Sequence, residues 1–264
     1  MRSANLFLLT TIFSLAVITS FGQNDLTKMP LHYKVSGQEN VKIQKNIVYK
    51  KVGETNLEMD VYSPPQVSGK LPAIIFISGS GNTKDWQIYK DYGAVTAAQG
   101  LIAIQFNRRF ANGSELPQAR EDTKSLLDFV RENGDKYGID SDRIGLWVFS
   151  GGGFFADLGM QENQPFIKFI VAYYGIDRVE TLEQIRKIGD QLPPVFMVRA
   201  GKDQPNLNNA ITLFVLQAIN RNMRITFINY TDGQHAFDIL DDTGETRKII
   251  KHTYQFIKDE FEIN

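Results

Sequence analysis

The sequence predicts an α/β protein whose central sheet is mostly parallel, with an antiparallel hairpin at its N-terminal edge and helices on both faces. Short apolar runs alternate along the chain with longer amphipathic segments, and this alternation is typical of strand–helix–strand units. Several runs are apolar throughout, which indicates strands buried on both faces. With 264 residues and 42% hydrophobic content, the chain can bury one large core. We therefore expect a single α/β domain over residues 46–264.

Composition and charge exclude several functional classes. Lys and Arg number 29 against 30 Asp and Glu, a formal net charge of -1, so no electrostatic argument favours nucleic acid or an anionic membrane surface. The chain has no cysteine, which excludes disulfides, thiolate metal sites and a cysteine nucleophile. No cluster of His, Asp and Glu has metal-ligand spacing. We expect a small neutral substrate and neither a metal nor a cofactor.

The N-terminus has the layout of a secretory signal peptide. Arg2 precedes an apolar run over residues 6–21 that ends in small residues before a polar stretch. The run is shorter than the ~20 residues of a membrane-spanning helix and contains several Ser and Thr. We expect residues 1–22 to be removed and the mature protein to be secreted or periplasmic, without stable membrane insertion; a retained anchor is the alternative. Residues 23–45 form a polar leader to which no function is assigned.

The first elements of the domain follow from turn signals and periodicity. Residues 46–52 and 56–62 alternate around a Gly-Glu turn, which predicts an antiparallel hairpin with one buried face. Residues 72–77 form the first strand buried on both faces. A helix over residues 89–99 closes at a glycine and leads to a second such strand over residues 101–106.

The later elements continue the alternation of helices and strands. An amphipathic segment over residues 177–192 is short, so we expect a minimal lid and an open pocket. The other predicted elements are a helix over residues 116–137, a strand over 143–149, a strand over 166–174, a strand over 195–200, a helix over 206–222, a strand over 225–230 and a helix over 244–261.

The strand over residues 143–149 ends abruptly in one serine and three glycines. A serine at such a turn has its Oγ pushed out of the sheet, and the N–H of Gly151 is free to donate to an oxyanion. The segment from Val148 through Ser150 to Gly152 resembles the GxSxG nucleophile elbow of the α/β-hydrolases. Valine replaces the first glycine, so Val148 either finds space beside the turn or indicates a degraded site. The resemblance implies an α/β-hydrolase fold with Ser150 as nucleophile.

A glycine-rich loop, Ser-Gly-Ser-Gly-Asn, follows the first buried strand at residues 78–82. Esterases and lipases carry a His-Gly-Gly-Gly loop at this place, which supplies a second oxyanion N–H. The match is partial, since serines replace the histidine and one glycine. The resemblance makes Gly79 and Ser80 the candidate donors, with an ordinary Gly/Ser loop as the alternative.

The remaining triad members are assigned by the same resemblance. The family places its acid in the loop after the strand over residues 195–200, where Asp203 is the only carboxylate, and its general base after the last strand, where His235 stands. The order Ser150, Asp203, His235 is the α/β-hydrolase order, each residue lying just past the end of a separate strand. Asp177, after the preceding strand, is the alternative acid.

Other polar residues near predicted strand ends are weaker candidates. Arg108 and Arg109 leave the strand over residues 101–106 and could hold a substrate carboxylate, although structural pairs with loop carboxylates are more common there. His32 and His252 are expected to have surface or capping roles. Two further aspartates stand too close to His235 in sequence to serve as its partner as readily as Asp203, namely Asp232 and Asp238.

The C-terminal pattern is similar to that of the dienelactone hydrolase-like branch, a resemblance that covers residues 46–261. Members of the dienelactone type use cysteine, whereas this chain has Ser150, so a serine carboxylesterase for small or short-acyl esters is the better inference. Phe154, Phe155 and Tyr174 are the predicted pocket residues. A peptidase of the prolyl-oligopeptidase type usually carries a propeller, for which the chain is too short; a catalytically silent binding protein is the other alternative. The oligomeric state is not predicted.

Overall fold

The structure is a computed structural model that describes residues 25–160, 165–176 and 192–263. The predicted signal peptide and all but the last residue of the predicted lid, 177–192, lie outside the described residues. Within the described ranges, no helix combines the length and apolarity needed to cross a bilayer.

The described residues form an eight-stranded mixed sheet in the order β1-β2-β4-β3-β5-β6-β7-β8. The β1–β2 and β2–β4 pairs are antiparallel and the other pairs are parallel, which confirms the predicted sheet with its N-terminal edge hairpin. The strands are β1 (Lys42–Val52), β2 (Thr55–Ser63), β3 (Leu71–Ile77), β4 (Ile102–Phe106), β5 (Ile139–Phe149), β6 (Ile167–Tyr173), β7 (Val195–Ala200) and β8 (Ile225–Tyr230).

Helices cover both faces of this sheet. They are α1 (Gln87–Ala98), α2 (Leu116–Asn133), α3 (Pro205–Asn220), the short α4 (Phe237–Leu240) and α5 (Gly244–Glu260). A 3₁₀ helix over Ser150–Met160 follows β5. The predicted helix over residues 116–137 is shorter as an α-helix, because its last turn is a 3₁₀ segment that ends at Gly138 in the left-handed region.

Two strands, β1 and β5, begin four residues earlier than predicted. β1 starts at Lys42, where it pairs with Ser63 of β2. β5 starts at Ile139, because this residue pairs with Leu71 of β3. The polar residues that precede the apolar run, predicted as a turn, are therefore part of the strand. The register between β3 and β5 shifts between Leu71 and Ala73, so the extension joins the strand through an irregularity.

The core consists of two apolar layers, one on each face of the sheet. Successive β5 side chains point to opposite faces, so Val148 packs in the layer under α2 and α3, whereas Trp147 and Phe149 pack in the layer under α1 and α5. All three side chains are almost completely buried. The sheet is therefore held from both sides, and its carboxyl edge forms a rigid platform for the loops that follow β3, β5, β7 and β8.

The described part of the leader lies against the domain. Leu31 is 1% exposed and packs in the α1–α5 layer, and its N–H donates to Asp91 on α1 at 2.9 Å. His32 contacts the carbonyl oxygen of Ile239 through Nε2 at 2.9 Å. The leader thus contributes to the fold on the α1–α5 face.

Candidate active site

Ser150 lies at the sharp turn between β5 and the 3₁₀ helix that follows it. Its φ of +50° is in the left-handed region, which a residue with a Cβ adopts only when its surroundings enforce it. A Cβ on Gly152 would clash with the carbonyl oxygen of Ile77 on β3, and a Cβ on Gly175 would clash with the carbonyl oxygen of Ser150. The turn is therefore packed so tightly between β3 and β6 that it requires glycine at both positions.

Val148 is accommodated inside the sheet. Its side chain is fully buried, and its neighbours on the adjacent strands are Ile77 on β3 and Ala172 on β6. The small alanine leaves room beside the valine side chain, which points into the α2–α3 layer. Of the two outcomes that the sequence left open, the structure shows the first: Val148 finds space, and the turn that carries Ser150 is formed.

The structure brings Ser150, His235 and Asp203 into one hydrogen-bonded chain. Ser150 Oγ lies 2.8 Å from His235 Nε2, and His235 Nδ1 lies 2.6 Å from Asp203 Oδ2. An ionised carboxylate can only accept, so Nδ1 must carry the proton that it donates to Asp203. In the neutral imidazole, Nε2 is then free to accept from the Ser150 hydroxyl. The arrangement can deprotonate a serine during nucleophilic attack.

The loops that carry the acid and the base are joined to each other. Gly201 packs directly on the Thr231 carbonyl group, and the N–H of Lys202 donates to the Gly233 carbonyl oxygen at 2.9 Å. This contact between the β7 and β8 loops holds Asp203 beside the histidine.

Burial differs along the triad. The Asp203 side chain is 2% exposed, whereas that of His235 is 28% exposed. The Asp203 carboxylate also accepts a hydrogen bond from the N–H of Gln204 at 2.7 Å. On the other side of the histidine, Asp241 accepts from the backbone N–H of Gln234 at 2.9 Å. The Asp203 carboxylate is thus enclosed, whereas the His235 ring that it holds is partly open to solvent.

The predicted oxyanion residues adjoin the serine. A Cβ built on Gly79 would lie 3.5 Å from Ser150 Cβ and 3.8 Å from the Gly151 nitrogen, and one built on Gly151 would lie 3.7 Å from the Ser80 nitrogen. The backbone of Gly79, Ser80 and Gly151 therefore lies beside Ser150. Backbone N–H donors beside the nucleophile can stabilise negative charge on a substrate oxygen.

Sequence reasoning missed the residue that holds this loop. Arg108, just after β4, is 6% exposed, and one guanidinium nitrogen donates to the carbonyl oxygens of Ser78 and Gly79, the latter at 3.0 Å. The N–H of Gly81 donates to the Phe110 carbonyl oxygen at 2.5 Å. The segment after β4 therefore forms hydrogen bonds with both ends of the glycine-rich loop. The signal in the sequence was two adjacent arginines at a strand end, which does not reveal that one of them is buried.

The three predicted pocket residues differ in their surroundings. Phe154 is partly buried, whereas Phe155 is 1% exposed and packs edge to face on Phe110, with ring centroids 5.4 Å apart. Tyr174 is 2% exposed, and its ring lies 4.8 Å from the imidazole of His235 between centroids. Phe155 and Tyr174 therefore form buried walls behind the site.

A second carboxylate, Asp238, lies buried behind the histidine. It accepts hydrogen bonds from the hydroxyls of Tyr174 at 2.7 Å and Tyr92 at 2.9 Å. Burial raises the pKa of the Asp238 carboxyl, while the two tyrosine hydrogen bonds and nearby His235 act in the opposite direction. Burial also raises the pKa of both tyrosine hydroxyls well above the ordinary value, so they remain donors.

The other polar candidates lie apart from the triad. Arg109 makes a two-pronged ion pair with Asp122, which also binds Lys50 at 2.8 Å. The exposed ring of His252 packs against Phe196. The alternative acid, Asp177, lies outside the described residues. Among the residues that the structure describes, no group of three or more His, Asp and Glu could hold a metal ion.

A protein-family model matches the part of the chain that carries most of this site. The model is that of the BD-FAE family, and it matches residues 59–229. The match includes the oxyanion loop, Ser150 and Asp203, and it ends before His235. His235 therefore stands in a loop beyond the matched segment.

Similar proteins of known name are esterases. The chain is 22% identical over 243 residues to Esterase LipC of Mycobacterium tuberculosis (strain ATCC 25618 / H37Rv), covering 73% of this chain and 60% of that protein. The chain thus spans about three fifths of the length of this curated relative.

Solved structures of a thermophilic esterase share the fold. Thermogutta terrifontis esterase 2 phosphoramylated by tabun superposes with a TM-score of 0.70 at 16% identity, over 84% of this chain and 95% of that one. The propionate-bound form of the same esterase superposes with a TM-score of 0.68 at 17% identity, over 84% of this chain and 95% of that one. These similarities confirm the predicted α/β-hydrolase fold.

Proposed function

The chain belongs to the BD-FAE family, and from this premise we propose that it is a serine carboxylesterase that uses Ser150, His235 and Asp203 as its catalytic triad. The observation that carries the proposal is the continuous chain of hydrogen bonds from Ser150 Oγ through the imidazole to the enclosed Asp203 carboxylate, at 2.8 and 2.6 Å. The esterase names of the similar proteins support the same reaction class.

In the proposed acylation step, Ser150 Oγ attacks the ester carbonyl carbon while its proton moves to His235 Nε2. The carbonyl oxygen becomes an oxyanion, which accepts from the amides of Gly151 and of Gly79 or Ser80. The C–O bond to the alcohol then breaks, and His235 returns the proton to the departing alkoxide oxygen. Asp203 holds the Nδ1 tautomer and stabilises the imidazolium.

Deacylation repeats the sequence with water as the nucleophile. His235 takes a proton from water, hydroxide attacks the acyl carbon of the acyl-serine, and Ser150 leaves with the proton that His235 returns. The products are a carboxylic acid, an alcohol and the free enzyme. None of these steps needs an oxidant or a cofactor.

The two alternatives to an esterase receive less support. The silent binding protein was suggested by Val148, yet the valine is accommodated and Ser150 Oγ lies within hydrogen-bond distance of the base. The peptidase has no specific observation in its favour. The dienelactone hydrolase-like resemblance stays a prediction, as do the signal peptide and the secreted or periplasmic location.

We propose that the substrates are esters with short acyl groups. Phe155 and Tyr174 are buried, and the Tyr174 ring lies 4.8 Å from the His235 imidazole between centroids, so bulky aromatic side chains stand close to the triad. The structurally similar Thermogutta esterase has been solved with propionate bound, a three-carbon acid. Acetate to butyrate esters of p-nitrophenol should therefore give higher kcat/KM than the decanoate, measured by nitrophenolate release. A higher kcat/KM for the decanoate would contradict the short-acyl proposal without affecting the triad.

The proposed reaction is tested by comparing the protein with a serine variant. Ser150→Ala should abolish turnover of p-nitrophenyl acetate, because it removes the nucleophile. Ser125→Ala is the matched control, since Ser125 is exposed on α2 and its hydroxyl only donates to the Glu121 carbonyl oxygen. Full activity in Ser150→Ala, or none in the unaltered protein towards any ester of the series, would overturn the proposal. An aminoacyl p-nitroanilide in the same assay tests the peptidase alternative.

A further inference from the structure

Arg108 is a buried cation that forms no ion pair with an acidic side chain among the residues that the structure describes. Its guanidinium carbon lies 5.0 to 5.5 Å from the ring centroids of three phenylalanines, Phe106, Phe110 and Phe155. The nearby Asp122 is already engaged by Arg109 and Lys50. Within the described ranges, the hydrogen-bond acceptors of Arg108 are main-chain carbonyl oxygens, and its Nε has no partner. Taking a charge out of water in this way is costly, which calls for a functional reason.

The two carbonyl groups that Arg108 binds belong to two particular peptide units. The Ser78 carbonyl shares its peptide plane with the N–H of Gly79, and the Gly79 carbonyl shares its plane with the N–H of Ser80. In a trans peptide the C=O and N–H point in opposite directions. Arg108 binds the carbonyl oxygens of Ser78 and Gly79 on one side of the loop. The N–H groups of Gly79 and Ser80 therefore point to the opposite side. On that side the Gly79 N–H faces the Tyr89 hydroxyl, whereas the Ser80 nitrogen lies beside Gly151, next to Ser150.

The positive charge acts on the same two groups electrostatically. A cation at a carbonyl oxygen polarises the amide and makes its N–H a stronger donor. Burial lowers the pKa of Arg108 to about 10, so the side chain remains charged at neutral pH. In surroundings that exclude water, this charge is screened weakly, and it favours negative charge that develops beside the loop.

We propose that Arg108 is the positioning residue of the oxyanion hole: through the Gly79 carbonyl it orients and polarises the N–H of Ser80, and its charge favours the transition state. The inference rests on the proposed esterase function. The oxyanion exists only after nucleophilic attack, so the charge of Arg108 stabilises the transition state much more than it stabilises the neutral ester carbonyl of the bound substrate. Loss of Arg108 should therefore lower kcat. A merely structural arginine would affect folding stability and leave kcat per folded molecule unchanged.

The test compares two variants at position 108 with a neighbouring control. Arg108→Met keeps a long apolar side chain but loses the charge and the hydrogen bonds, and Arg108→Lys keeps the charge with different geometry. With p-nitrophenyl acetate, we expect kcat of Arg108→Met to fall about a hundredfold with little change in KM, the size of effect seen when one oxyanion donor is removed. Arg108→Lys should fall less. Arg109→Met, the same change one residue away, should retain kcat.

A transition-state analogue provides the second readout. A trifluoromethyl ketone forms a tetrahedral adduct with the serine, so its inhibition constant should rise across these variants in proportion to the fall in kcat/KM. Circular dichroism identifies the variants that fold. If Arg108→Met does not fold, the kcat and the ketone inhibition constant of Arg108→Lys provide the test. A folded variant with unchanged kcat, or with unchanged ketone affinity, would overturn the role of Arg108. Activity that persists in Ser150→Ala would instead overturn the esterase function, so the two failures are distinguishable.

Discussion

At the scale of single residues, three residues far apart in sequence meet because each stands just past the end of a parallel strand. This rule, together with the resemblance to the α/β-hydrolases, allowed Ser150, Asp203 and His235 to be named from the sequence, and the structure joins Ser150 to His235 and His235 to Asp203 by hydrogen bonds. Asp238 shows where the rule stops. It was set aside because it lies close to the histidine in sequence, and its burial against two tyrosines depends on contacts with α1 and β6 that local patterns do not contain.

The assignment of Asp203 as the acid predicts the effect of a single atom change. Asp203→Asn should leave the fold intact and lower kcat by roughly 10⁴, because the amide no longer holds the productive histidine tautomer; that magnitude is the one established for the serine-protease triad. Asp232→Asn is the control, since Asp232 is exposed and pairs with Lys202. Esterase assays on both variants and on Asp177→Asn show which aspartate is the acid. A large loss in Asp177→Asn with none in Asp203→Asn would reverse the assignment.

The buried Asp238 predicts a pH dependence of stability. Its pKa is raised above the ordinary value of 3.8, chiefly by burial, so the folded protein holds this proton over a pH range in which the unfolded chain has released it. The stability that Asp238 contributes therefore falls as pH rises from 3.8 to the raised native value, and is constant above it. Asp238→Asn lacks this dependence.

Urea unfolding of the protein and of Asp238→Asn between about pH 4 and pH 8 measures this effect. The free energy of unfolding of the unaltered protein, minus that of the variant, should decrease with rising pH and then level off. The sign follows from proton linkage and does not depend on how much the asparagine itself stabilises or destabilises the fold. A difference that increases with pH over this range would contradict a raised pKa of Asp238.

At the scale of elements, periodicity located the strands and helices but not all of their ends. The start of β5 was missed because Ile139 is recruited by pairing with Leu71, a contact between strands that lie 68 residues apart along the chain (139 minus 71). The 3₁₀ character of the segment after Ser150 was also not evident, since its apolar pattern would suit an α-helix. Whether Val148 fits beside the turn could not be predicted from the sequence either, because the space that it occupies depends on Ala172 on the neighbouring strand β6.

The tight packing of the elbow predicts that Gly152 cannot be replaced. In Gly152→Ala the new Cβ would clash with the backbone carbonyl of Ile77, and the elbow would have to move away from β3. We expect this variant to lose most esterase activity and to be destabilised by about 1–3 kcal/mol, the usual cost of overpacking. Gly113→Ala is the matched control, because a Cβ there meets nothing within 4 Å. Wild-type kcat in Gly152→Ala would show that the elbow tolerates displacement.

At the scale of the whole molecule, the site is assembled from loops after β3, β4, β5, β7 and β8, so it exists only when the sheet is complete. The fold class was predictable because alternating apolar and amphipathic segments leave few arrangements for a chain of this length. The strand order was not, since no local signal shows that β4 lies between β2 and β3. The family match ends at residue 229, before His235, whose loop is held beside the β7 loop by a tertiary hydrogen bond from Lys202 to Gly233.

This dependence on the complete fold is tested by covalent labelling with an organophosphonate. The reagent mimics the tetrahedral intermediate, so it should react with one serine per molecule, Ser150, and only when a positioned base and oxyanion donors are present. Labelling requires the imidazole of His235, because the neutral ring accepts the serine proton. His235→Ala should abolish labelling although Ser150 is retained, and the urea-unfolded protein should not react. Peptide mapping by mass spectrometry identifies the adduct; folded protein with no adduct on Ser150, or equal labelling in His235→Ala, would contradict a working triad.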